Sequence, residues 1–112
     1  MTPRLKAELW VKALIRRCYA ADVPAMLVRR GEEGSGAVFV CTQASPGQVT
    51  VWSRGMMADG NWGWRRATGP EPVSEEDAAR YFEREARFDP DFWVVEIEAP
   101  DLAPFVDDAI EA

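Results

Sequence analysis

Apolar residues recur at helical spacing in the opening segment, PRLKAELWVKALIRRCYAAD. Ala7, Trp10, Val11, Leu14, Ile15, Cys18 and Ala21 fall on one arc of a helical wheel, which predicts an amphipathic helix. Pro3 suits its first turn. Arg4, Glu8, Lys12 and Arg16 make a charged ridge in which Glu8 and Lys12 are a favourable i, i+4 pair. A second, weaker strip of Leu5, Leu9, Ala13 and Ala20 gives the helix another face to bury or to share with a partner. Asp22 to Pro24 ends it.

The pattern then changes to strands. AMLVRR, AVFVCT, VTVWSR and NWGWRR are joined by GEEGSG, ASPGQ and MADG, all rich in turn residues. Pro46-Gly47 fits a tight turn that needs a positive φ at glycine. Asp59-Gly60 is a hairpin signal. The four segments read as an antiparallel meander.

PVSEEDAARYFEREARF restores helical spacing, with Ala78, Tyr81, Phe82 and Phe88 on one face. Ser74 is the expected N-cap, followed by Glu75, Glu76 and Asp77 at the positive end of the helix dipole. The next stretch, RFDPDFWVVEIE, could be an acidic site or a turn feeding a strand. Pro90 cannot continue the helix, and aspartates satisfy turn amides. Trp93, Val95 and Ile97 alternate with Val94, Glu96 and Glu98, so the glutamates are expected on a wet strand face. A single Asp-Pro-Asp is a poor match to a metal loop. The order is α-β-β-β-β-α-β. It predicts an α+β domain over residues 1–98 with a mainly antiparallel sheet of about five strands and both helices on one face. Residues 99–112 are expected to form an acidic tail, with helical spacing from Pro104.

Composition narrows the chemistry. The 112 residues suit one domain. With no histidine in the chain, Ser-His and Cys-His catalysis and His-ligated zinc are excluded. Two cysteines without a spacing pattern, Cys18 and Cys41, read as buried hydrophobes. No apolar run is long enough to span a membrane, and charges interrupt the N-terminus, so a cytoplasmic location is expected. No metal or cofactor is expected. Residues 1–70 hold ten Lys and Arg against five Asp and Glu, whereas residues 71–112 hold three against fourteen. The two halves either fold together and neutralise or leave a basic face open.

Hairpin register sorts the strand faces. Pairing Met57 with Trp62, Gly55 with Trp64, Cys41 with Trp52 and Leu27 with Phe39 puts Val28, Val38, Val40, Val51 and Trp64 on the core face. In that register Gly55 leaves room for the Trp64 indole. The other face collects Leu27, Arg29, Phe39, Trp52, Arg54, Met56 and Arg65, too apolar for solvent. The first expectation is therefore a protein-interaction module that meets another protein or a second copy of itself there, as a homodimer. The alternative from another class is single-stranded nucleic acid or an anionic ligand on the Arg/Trp face, which the net charge of −6 opposes. An enzyme would have to rest on Glu85, with Tyr81 one turn back supplying a hydroxyl. One acid without a base, nucleophile or phosphate loop does not make a mechanism.

PRLKAELWVKALIRRC, VRRGEEGSGAVFV and above all RFDPDFWVVEIE resemble an uncharacterised family of short bacterial proteins, a domain of unknown function. The resemblance runs from about Arg4 to Glu98. It implies no activity, substrate or cofactor, and no functional residue is carried over from it.

Overall fold

The computed structural model describes residues 6–32 and 36–111. Pro3, Arg4, Leu5 and part of the GEEGSG link lie outside them. The elements are α1 (Ala7–Ala20), β1 (Ala25–Arg29), β2 (Ala37–Ser45), β3 (Gln48–Met56), β4 (Trp62–Arg66), α2 (Glu75–Phe88), β5 (Phe92–Ile97), a 3₁₀ turn (Ala103–Phe105) and β6 (Ala109–Ile110). The fold is α+β with two helices, as expected, but the sheet has six strands in the order β1-β5-β2-β3-β4-β6. It is mixed: β5 runs parallel to β2, and β6 runs parallel to β4.

The expected β1–β2 hairpin is replaced by β5, which inserts between the two and pairs antiparallel with β1. The reason lies in the side chains. Val38-Phe39-Val40-Cys41 and Phe92-Trp93-Val94-Val95 are runs in which every residue is buried. A strand that is apolar on both faces belongs in the middle of a sheet, not at its edge.

That two-sided core puts the helices on opposite faces. Ala7, Val11, Leu14 and Cys18 of α1 pack with Val40, Trp52, Trp64, Trp93, Val95 and Ile97. Ala78 of α2, with Tyr81 and Phe82, packs with Phe39, Cys41, Val51, Phe92 and Val94. The expectation of both helices on one face is thus corrected to three layers. The predicted α1 arc and the Glu8–Lys12 pair, at 2.9 Å, are both present. Asp22 closes α1 with φ 59°, a left-handed helix end. Ser74 Oγ accepts from the Asp77 N–H at 3.1 Å, which makes it the N-cap of α2.

Two one-residue irregularities moved the strand faces. Gly47 has φ +80°, so the Pro46-Gly47 turn is where it was expected, but a bulge between Gln43 and Ser45 then pairs Cys41 with Val51 and Val40 with Trp52. At the next turn, Gly60 (φ +86°) closes on the Met57 carbonyl and Met57 N–H bonds Asn61 O. This is a three-residue loop ending in a left-handed glycine. Arg54 therefore faces Trp64, and Gly55 faces Gly63. A one-residue slip sends every side chain to the other face. The glycine that permits close approach is Gly63, not Gly55. A Cβ there would stand 2.9 Å from the Ala109 carbonyl of β6.

Residues 99–111 pack onto the other described elements. Leu102 and Phe105 are buried in the α1-side core, and β6 extends the sheet. Cations of the first half pin the segment. Arg17 reaches Asp107 at 3.1 Å, Arg54 reaches Asp108 at 3.1 Å, and Arg66 donates to the Glu111 carbonyl at 2.7 Å. The charge asymmetry is used here within the fold.

Candidate interaction surface

The seven residues expected on one open face are divided between two layers. Phe39 is 4% exposed, with Tyr81, Phe82 and Phe92 ring centroids 5.8, 5.6 and 5.4 Å away. Trp52 is 4% exposed on the α1 side, where its Nε1 donates to Thr42 Oγ1 at 2.9 Å. Neither is available to a partner, and the Leu27–Phe39–Trp52 patch does not exist as a surface. Arg54 is held by Asp108 and lies 4.9 Å from the Trp62 ring centre and 5.4 Å from that of Trp10. Arg65 donates to the Met56 carbonyl at 2.8 Å. These arginines stack on and bond to their own chain. Phe39, Trp52, Trp64 and Trp93 are buried, so these rings are not open for bases to stack on.

Met56, at the end of β3, is 52% exposed, and Leu27 and Arg29 lie on β1, one of the two edge strands. Arg29 lays its guanidinium 4.0 Å from the Phe92 ring centre and donates from Nη2 to the Pro90 carbonyl at 2.7 Å. Met26, Leu27 and Val28 are 61%, 39% and 53% exposed. Sequence reasoning placed Val28 in the core because it paired β1 with β2. The legible signal was the apolar run MLV beside a proline and two arginines, the marks of an edge.

Backbone directions on β1 follow from one hydrogen bond. Glu98 N donates to Pro24 O at 3.0 Å, and Met26 lies opposite Glu96. In an antiparallel ladder, alternate residues bond inward. Pro24 and Met26 thus bond to β5, and Ala25 and Leu27 aim their N–H and C=O groups outward. No described strand pairs with that edge. A bulge at Val28, between Leu27 and Arg29, ends the regular stretch.

The stretch RFDPDFWVVEIE is a turn and a strand, as expected. Asp89 Oδ1 accepts from Asp91 N at 3.0 Å, and Asp91 Oδ1 accepts from Glu32 N at 2.6 Å. No group of three or more possible metal-binding side chains occurs among the described residues, and no helix is long and apolar enough to cross a membrane.

The weak catalytic candidates, Tyr81 and Glu85, come together. Tyr81 is a hydrogen-bond partner of Glu85, and its pKa is pushed up to about 12 by burial and then by the Glu85 charge. It is a neutral phenol at physiological pH, not a base. The Cys41 thiol is likewise pushed up to about 12, by burial and then by Glu96, so it is not a thiolate nucleophile. Phe88, expected on the core face, is 88% exposed. One pH dependence follows. Both acids keep their protons in the fold beyond the unfolded values of 9.0 and 10.0. The unfolded chain therefore binds fewer protons in that range, and stability falls with rising pH. Their contribution is complete below pH 9 and is lost as pH climbs toward 12. A urea midpoint at pH 11 well below that at pH 8 is the expected observation.

These features define a small mixed α+β protein with a core on both sides of its sheet and an apolar edge strand. The model for "Protein of unknown function (DUF1491)" matches residues 5–107, and the chain belongs to that family. A crystal structure of a DUF1491 family protein from Caulobacter crescentus CB15 superposes with TM-score 0.81 at 36% identity, covering 96% of this chain and all of that one. The solution structure of protein Atu0922 from A. tumefaciens gives 0.79 at 32% identity, with 98% of each chain covered. An NMR structure of a DUF1491 family protein from Caulobacter crescentus CB15 gives 0.80 at 35%. A search of curated proteins finds no match.

Proposed function

We propose that the protein is a protein-interaction module that self-associates through β1. The observation that carries this reading is the run Met26-Leu27-Val28, exposed on an edge strand whose outward backbone groups lack a described partner. Natural sheets blunt such edges or use them, because they template pairing with another strand.

A second copy fits the edge in one register. Ala25 and Leu27 carry the outward groups, so an antiparallel pair about a two-fold axis at Met26 sets Ala25 opposite Leu27 of the other copy, twice. Four backbone hydrogen bonds form. A two-fold contact needs only this self-complementarity.

Light scattering at about 100 µM should detect a dimer, since so short an interface gives at best micromolar affinity. Leu27→Pro removes one outward N–H per copy and keeps the inward ladder, a change that edge strands tolerate. It should yield monomer, and so should Leu27→Lys. A monomer throughout, or dimers that persist in both variants, would refute the reading.

A further inference from the structure

A helix with its side chains is 10–12 Å across, a little more than two strands at 4.8 Å spacing. A six-stranded sheet therefore has room for more than one helix on each face. On the α1 side the room is used: α1 takes one part, and the segment carrying Leu102 and Phe105 joins the same core. On the opposite side α2 stands alone over β3, β2 and the near part of β5. Beside it lies a groove of about 540 Å³, floored by Cys41, Val94 and Glu96 and bounded on its far side by Val28 and Arg29.

We infer that this groove is a berth for a basic amphipathic helix from a partner protein. Two features of the wall decide for a helix. Ala79 and Ala86 of α2 line the groove. They are seven residues apart and so lie on one stripe, where small side chains let a second helix approach to about 8 Å. The lining of α2 runs from Glu75 to Ala86, which at 1.5 Å per residue is about 16 Å, or three turns. That length matches anchors at i, i+3 or i+4, and i+7. Val28, 53% exposed, supplies the apolar far side.

Charge decides for a basic helix. Glu75, Glu83 and Glu96 line the groove, and none makes an ion pair with a described residue. The single cation, Arg29, is already occupied by Phe92 and Pro90. Lysines or arginines flanking an apolar stripe would meet these carboxylates, and an acidic helix would be repelled.

The test titrates ¹⁵N-labelled protein with a synthetic three-turn peptide that carries a leucine stripe flanked by lysines, and with the same peptide flanked by glutamates. The lysine peptide should shift the amides of Ala79, Ala86, Val28 and Glu96, and the glutamate peptide should not. Glu83→Lys with Glu96→Lys should weaken binding at least tenfold, and Ala79→Trp should fill the berth and abolish it. Leu27→Pro should leave peptide binding intact, which separates this site from β1 pairing. Equal shifts with both peptides, shifts confined to the outer edge of β1, binding as an extended strand, or no shift at millimolar peptide would each overturn the inference.

Discussion

Phe39→Ala is expected to destabilise the fold by about 3–5 kcal/mol, the cost of emptying a large buried aromatic site. Phe39 stands at the centre of the α2-side core, edge-on to Tyr81, Phe82 and Phe92 at interplanar angles of 78°, 74° and 84°. Edge-to-face pairs add to the area term, and the truncation removes three of them together. A domain of this size has about 5–15 kcal/mol in all, so the variant loses a large share. Urea unfolding should show a lower midpoint at an unchanged slope. An interface residue on an open face would behave differently, lowering association while the monomer kept its stability. A change below about 1 kcal/mol, the range of surface substitutions, would contradict the three-layer packing.

Leu102→Ala and Phe105→Ala are expected to cost about 2–5 and 3–5 kcal/mol. Leu102 is 1% exposed and Phe105 6%, both packed in the α1-side core. The Arg17 contact to the same segment weighs far less. Arg17 and Asp107 are half and mostly exposed, and exposed pairs are worth about 0–1 kcal/mol. The apolar anchors hold the segment, and the charges select where it lies. Thermal unfolding of the two core variants beside Arg17→Ala should separate the terms, with large shifts for the first two and a small one for the last. Equal small shifts in all three would mean that residues 99–111 are dispensable to the core.

The elements were legible in the sequence because each has a local cause. The α1 arc, the Ser74 cap, the positive φ at Gly47 and the Asp89–Asp91 turn are all decided within a few residues. Strand order was not legible from alternation alone. The insertion of β5 between β1 and β2 depends on pairings dozens of residues apart, although Phe92-Trp93-Val94-Val95 carried the mark of a strand buried on both sides. Faces were lost for a smaller reason. A bulge before Ser45 and a three-residue loop at Ala58-Asp59-Gly60 each shift the register by one. That moved Trp52 and Arg54 to the α1 side and left Phe39 under α2, while the two shifts cancel at β4 and keep Trp64 with Val38 and Val40, as expected. Of the expected interface, Leu27 and Met56 lie at exposed positions, and Met26 and Val28 beside Leu27 are exposed as well.

The self-association reading rests on β1, and amide hydrogen exchange at two residues tests it most directly. In a monomer the outward N–H group of Leu27, 39% exposed, is open to water, whereas that of Met26 is bonded to β5. Exchange at Leu27 should slow as protein concentration rises, while Met26 stays protected throughout. Exchange at Leu27 that is fast and independent of concentration would contradict the account.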